Sequence, residues 1–169
     1  VNYDGRFRGP VSLRVALANS LNIPAVRALQ FVGIPAFVET AERMGISSFT
    51  RDDYGLSLTL GGGEVRLLEL TGAYAVFANG GVRVPPTPIL RIEDTEGHVL
   101  VDNSQPVGQQ VITPEHAYLI SHILSDAPAR CLVFACPNAL ELSRPAAAKT
   151  GTTNDSRGAW TARHKPPLV

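Results

Sequence analysis

The sequence predicts a layered fold of helices against a sheet, α/β or α+β, and three observations carry that reading. Apolar residues recur at helical spacing in several stretches before residue 80. Strand-like segments are few and come late. The last of them is a run of small residues, Pro145-Ala146-Ala147-Ala148, that ends in Lys149-Thr150-Gly151.

Taken in order, Gly9-Pro10 puts proline at a first helical position, with Val11, Val15 and Ala18 following at helical spacing. Pro24 starts a second helix carrying Val26, Leu29 and Phe31. Pro35 starts a third through Phe37, Val38, Ala41 and Met44, stopped by Gly45. Between the first two, Asn19-Ser20-Leu21-Asn22-Ile23 is a bend, where side chains can turn into a cleft. Residues 60–64, Leu-Gly-Gly-Gly-Glu, read as a flexible loop before the strongest helix, about residues 65–78. That helix offers Leu68, Tyr74, Ala75 and Phe77 to the core, and Asn79-Gly80-Gly81 ends it as a left-handed C-cap.

Pro85-Pro86-Thr87-Pro88 is an extended linker. Residues 89–92 and 98–101 flank the turn Asp94-Thr95-Glu96-Gly97 as a β-hairpin, which need not join the main sheet. Thr113 caps a helix through Leu124, with Tyr118, Ile120, Ile123 and Leu124 as apolar material. Residues 126–144 read as mixed loop. After Trp160 the chain turns to Arg163-His164-Lys165-Pro166-Pro167, and proline opposes a central strand. Residues 163–169 therefore read as a diverged or truncated tail behind a domain of residues 1–162.

Composition excludes several classes. With 44% apolar and 18% charged residues the chain is globular. Fifteen acidic and fifteen basic side chains cancel, so nothing points to nucleic acid or an anionic membrane surface. No run approaches the roughly 18 to 20 apolar residues that span a bilayer, and no signal-peptide pattern opens the chain. An anchor, if the intact protein has one, is expected outside this sequence. Cys131 and Cys136 lack two further ligands at metal spacing, so no metal site is expected. Two small buried thiols are the preferred reading of the pair, with a local disulfide as the alternative. The histidines read as surface groups.

Lys149 is one of two lysines, against thirteen arginines. A strand ending in Lys-Thr-Gly can bring an ammonium, two hydroxyls and a bare glycine backbone to one edge of a cleft. Each residue also has a plainer reading. Lys149 can be a solvated surface lysine, Thr150, Gly151 and Thr152 an ordinary turn, and Ser20 a helix-end hydroxyl satisfying backbone groups. Asn22 can be a helix cap before Pro24. A phosphate-binding reading fits poorly, because a P-loop wants glycine before its lysine and a helix after it, whereas Ala148 precedes Lys149.

Four stretches in order carry a resemblance. They are Ala16-Leu17-Ala18-Asn19-Ser20-Leu21-Asn22-Ile23-Pro24-Ala25-Val26, Leu60-Gly61-Gly62-Gly63-Glu64-Val65 leading into Leu68-Glu69-Leu70-Thr71-Gly72-Ala73-Tyr74-Ala75, Phe77-Ala78-Asn79-Gly80-Gly81, and Ala148-Lys149-Thr150-Gly151-Thr152-Thr153-Asn154-Asp155. Together they resemble the transpeptidase domain of class A penicillin-binding proteins, with some similarity to the 1C subgroup, over about residues 6–161. The resemblance implies a partial penicilloyl-serine-transferase, β-lactamase-like fold that lacks the nucleophile helix and the C-terminal strands. It implies serine acyl transfer from D-alanyl-D-alanine stem peptides of peptidoglycan, inhibition by β-lactams, and no cofactor. It also implies an extracytoplasmic location at the bacterial inner membrane and a glycosyltransferase domain upstream.

Residue by residue, Ser20 matches the Ser-x-Asn serine that passes a proton to the leaving group, and Asn22 the asparagine that binds the donor peptide. Lys149 matches the lysine beside that serine. Thr150 and Thr152 would bind the donor carboxylate, the Thr152 N–H would form half the oxyanion hole, and Gly151 would let the substrate backbone approach. Gly61-Gly62-Gly63-Glu64 matches a loop beside the active site, read either as substrate contact or as helix entry.

The nucleophile of the three-part signature, Ser-x-x-Lys, is missing. Ala146 stands three before Lys149 and Ala162 three before Lys165. It is expected before Val1, and the chain alone is expected to be inactive. Gly158 also departs from the family, which usually has aspartate there. The runner-up is a catalytically dead interaction module of the same fold; a serine β-lactamase fits the second and third stretches less well.

Overall fold

The computed structural model describes residues 2–152 and 159–165. Helices come first: α1 Leu13–Ala18, α2 Asn22–Val32, α3 Ile34–Arg43, a 3₁₀ turn Leu56–Leu60, and α4 Leu67–Ala78. Short strands follow, β1 Val82–Arg83, β2 Arg91–Glu93, β3 Val99–Asp102 and β4 Gln109–Gln110, then α5 Pro114–Ser125, α6 Ala127–Phe134, β5 Ala147–Thr152 and β6 Ala159–His164.

The described strands form three antiparallel pairs, β1–β4, β2–β3 and β5–β6. The hairpin at residues 91–102 is thus separate from β5–β6. That last pair carries the Lys-Thr-Gly segment, with Lys149 opposite Ala162 and Gly151 opposite Trp160. Helices α4 and α5 pack on it, and α1 packs on α5 and α6. The sequence around the layer explains why. Ala147 and Ala117 are fully buried and Ala148 nearly so, and side chains this small let β5 lie close against α5. Larger residues there would overpack the junction. A second cluster of Ala41, Ile46 and Ala73, closed over by Met44, Phe49 and Val65, holds α3 against α4.

Several local expectations change. The first helix begins at Leu13 rather than near Pro10, because the Ser12 hydroxyl accepts from the Val15 N–H and fixes its start. The second helix begins at Asn22, with Pro24 inside its first turn. The α4 face toward the core is Ala73 and Val76, with Tyr74 and Phe77 half-buried, while Leu68 and Ala75 are exposed. On α5 the buried positions are Ala117, Ser121 and Leu124, and Tyr118 faces outward.

Residues 126–144 are not simply loop. They contain α6, started by the Asp126 carboxylate accepting from the Ala129 N–H and by a proline in the first turn. The cysteines correct a further expectation. Cys131 and Cys136 form a disulfide and both are exposed; their Cα atoms are 5.2 Å apart, within bridging range, because the chain folds back just after α6. Strand β6 continues through Arg163 and His164. His164 is not a surface group either: its ring stacks on Phe77 and its Nε2 lies 2.9 Å from the Ser121 Oγ. Among the described residues, no helix is long and apolar enough to cross a membrane.

Candidate active site

The bend between α1 and α2 and the start of β5 come together. Lys149 Nζ donates to Ser20 Oγ at 2.6 Å and to the Thr150 carbonyl at 2.6 Å. Ser20 sits in the left-handed region, at φ 53°, with its N–H on the Leu17 carbonyl and the next N–H on that of Ala16. This tight reversal aims the hydroxyl at β5 instead of letting it cap a helix. Lys149 is half-buried, and withdrawal from water pulls its pKa down to about 8. An ammonium so placed can both polarise a hydroxyl and give up a proton near neutral pH.

These two side chains and Asn22 stand at one cavity of about 520 Å³. Its walls are mostly apolar and come from α1, α2 and α5, including Leu17, Ala25, Ile120 and Ile123. Asn22 is the first residue of α2, so it is not the residue before the helix. Relief of the exposed N-terminal donors comes from elsewhere: the buried Asn2 side chain accepts from the Ile23 N–H. Thr150 is half-buried, and Gly151 and Thr152 are exposed on the strand beyond Lys149. Among the described residues a Cβ on Gly151 would meet only the Trp160 Cβ, at 3.9 Å, so their packing does not demand glycine there.

The glycine loop divides differently. A Cβ on Gly62 would lie 2.9 Å from the Ser57 backbone, and one on Gly63 2.8 Å from the Phe49 ring. These glycines are required by packing. It is Thr59 and Leu60, just before them, that line the cavity, together with His116 of α5. Leu60 opens the Leu-Gly-Gly-Gly-Glu stretch, whereas Thr59 and His116 stand outside every motif in the sequence; the only signal for Thr59 is its place beside that stretch. Thr153, Asn154, Asp155 and Gly158 lie outside the described residues. Among the described residues no cluster of metal-ligating side chains occurs.

The chain as a whole has known counterparts. Residues 1–160 match the model of the penicillin-binding protein transpeptidase domain. The chain belongs to the penicillin-binding protein transpeptidase family. It is 37% identical over 174 residues to penicillin-binding protein 1A of Neisseria lactamica, covering 99% of this chain and 21% of that protein. With penicillin-binding protein 1A of Rickettsia bellii it shares 30% identity over 187 residues, again 99% of this chain and 23% of the relative. The chain thus spans about a fifth of the length of the curated relatives it matches. Among solved structures, penicillin-binding protein 1A from Haemophilus influenzae superimposes with a TM-score of 0.75 at 31% identity, over 96% of this chain and 29% of that one. PonA1 from Mycobacterium tuberculosis in complex with penicillin V gives 0.81 at 25% identity, over 98% and 47%. The family and its class A branch agree with the four stretches read from the sequence; similarity to the 1C subgroup rests on those motifs alone.

Proposed function

We propose that this chain supplies the substrate-binding walls and proton relay of a serine transpeptidase that cross-links D-alanyl-D-alanine stem peptides and is acylated by penicillin. The carrying observation is the 2.6 Å bond from Lys149 to Ser20 beside the 520 Å³ cavity that Asn22 also lines. Residues 1–162 are taken as part of the transpeptidase domain, with the nucleophile on a Ser-x-x-Lys element outside these 169 residues. A hydroxyl presented to the cavity would face Ser20 and Lys149.

The steps take the roles that the resemblance implies and set them on this geometry. The donor peptide lies along β5, where Gly151 leaves room for its backbone and Thr150 and Thr152 offer hydroxyls to its carboxylate. The nucleophile's oxygen attacks the penultimate D-alanyl carbonyl, and the Thr152 N–H is one donor to the developing oxyanion. Asn22 holds the donor's amide. Ser20, polarised by Lys149, hands a proton to the departing D-alanine nitrogen. An amine from a neighbouring stem then resolves the acyl-enzyme. Penicillin stops at the acyl stage. The reading includes an extracytoplasmic location, stem peptides and β-lactams as ligands, and an upstream glycosyltransferase domain in the intact protein.

The test is fluorescent penicillin labelling followed by mass spectrometry of the adduct. The chain alone is expected to stay unlabelled, and a covalent adduct on Ser20 would overturn the assigned roles. Joined to a segment carrying Ser-x-x-Lys, it is expected to be acylated on that serine. A folded, joined protein that takes no label would favour the interaction-module reading.

A further inference from the structure

The turn that carries Ser20 is held from α6, an element that contributes nothing to the lining of the cavity. Ser20 is in a backbone region that side-chain-bearing residues avoid. The backbone bonds around it would close the turn equally well for glycine, so they do not explain how a serine is kept there. The residue before it does. Asn19 is 2% exposed, and every polar atom of its side chain is engaged. Its amide nitrogen donates to the Val15 carbonyl at 3.0 Å and to the Ala129 carbonyl at 2.7 Å, and its oxygen accepts from the Val133 N–H at 3.0 Å.

Ala129 and Val133 are four residues apart on α6, the spacing of a helical hydrogen bond. The Asn19 amide therefore meets α6 as a peptide group would, with donor to carbonyl and carbonyl to donor. The contact is braced at both ends. Arg14 of α1 donates to the Asp126 carboxylate at 2.9 Å, and Asp126 starts α6. Val133 lies within the ring closed by Cys131 and Cys136. Helix α1 and the turn after it are thus fixed to a short helix more than a hundred residues away in sequence.

We propose that Asn19 is a positioning residue: by pairing with α6 it holds the Ser20 turn left-handed, so that the Ser20 hydroxyl stays on the Lys149 ammonium. This rests on the roles given to Ser20 and Lys149 above. Without the amide, the part-buried Ala129 carbonyl and Val133 N–H each lose a partner, the Val15 carbonyl keeps only the Asn19 backbone N–H, and the turn is free to relax toward negative φ. That relaxation swings Oγ away from Nζ and admits water beside Lys149.

The experiment is a pH titration of the lysine side-chain signals of the 169-residue chain by NMR. With only Lys149 and Lys165 present, two signals need assignment. Burial alone drives the Lys149 shift, and His116 is the titratable side chain on the facing helix that lines the same cavity, so its titration is followed in parallel. In Asn19→Ala, and in the volume-keeping Asn19→Leu, the Lys149 midpoint is expected to move up from about 8 toward the ordinary lysine range. The close contact between the Lys149 and Ser20 side chains is expected to vanish. Folded variants with an unchanged Lys149 midpoint would overturn the inference. Loss of cooperative folding in both variants would also overturn it, making Asn19 a determinant of the fold rather than of the site. Failure of penicillin acylation in the completed protein, with the Lys149 response present, would instead sink the functional reading and leave this one standing.

Discussion

Two turns in this molecule solve the same problem in opposite ways. In the hairpin turn at residues 94–97, the Asp94 carboxylate accepts from the N–H groups of Glu96 and His98, at 2.9 and 2.8 Å, and Gly97 takes the positive φ. Every partner is within four residues and exposed. The Ser20 turn keeps a non-glycine residue at positive φ and draws its side-chain partners from α6 and β5, over separations of 110 to 129 residues. A turn built from neighbours keeps its shape wherever it is placed. A turn built from distant elements has its shape only when the fold is complete, and there a hydroxyl can be aimed at a partner from another element.

The contrast can be broken from the site side first. Lys149→Ala in the completed, acylatable protein is expected to slow penicillin acylation by about 10²–10⁴-fold, the usual worth of a positioned proton-transfer group, measured as the second-order rate of label incorporation. Arg91→Ala in the hairpin is expected to leave that rate unchanged. Ala147→Leu, at a fully buried position against α5, is expected to lower stability by about 1–3 kcal/mol through overpacking, seen as a fall in the urea midpoint at constant slope.

Smaller effects sharpen it. The Lys149 pKa is depressed in the folded state, so below about pH 8 its charge is carried at a cost to stability. Above that, folded chains release the proton before unfolded ones do, and this group's contribution to stability is expected to rise with pH until the unfolded lysine also titrates. Denaturation midpoints measured across pH 7 to 10 in the parent and in Lys149→Met isolate the slope; an identical slope in both would contradict the buried ammonium. The smallest effect is expected in the hairpin, where Leu100 is 64% exposed. Leu100→Thr is expected to change stability by less than about 0.5 kcal/mol.

The same difference explains what could be read from the residues alone. Thr113 before Pro114, the hairpin around residues 94–97, the C-cap at Asn79-Gly80-Gly81 and the Lys149 strand all announce themselves through neighbours, and all are found. Helix α6 has a usable start signal in Asp126 and Pro128, but eight residues ending near two cysteines and a proline carry little periodicity, so the sequence alone reads as loop there. Ser20 and Lys149 were singled out through motif resemblance, and the structure brings them together. The Asn19 bonds to α6 could not be seen, since nothing local marks which carbonyl an asparagine will find a hundred residues on. Thr59 and His116 belong to no motif, and only the fold brings them to the cavity.

The depressed Lys149 amine has a practical consequence for anyone handling this chain. Near pH 8 a sizeable share of it is unprotonated, and an unprotonated amine is what succinimidyl esters and aldehyde resins capture. Both cysteines are already joined to each other. Dyes, biotin or surfaces coupled through lysine would therefore compete for the one amine on which the proposed chemistry depends. A completed, acylatable protein tagged in that way could be folded and pure yet take no penicillin label, and that silence would say nothing about the proposed chemistry.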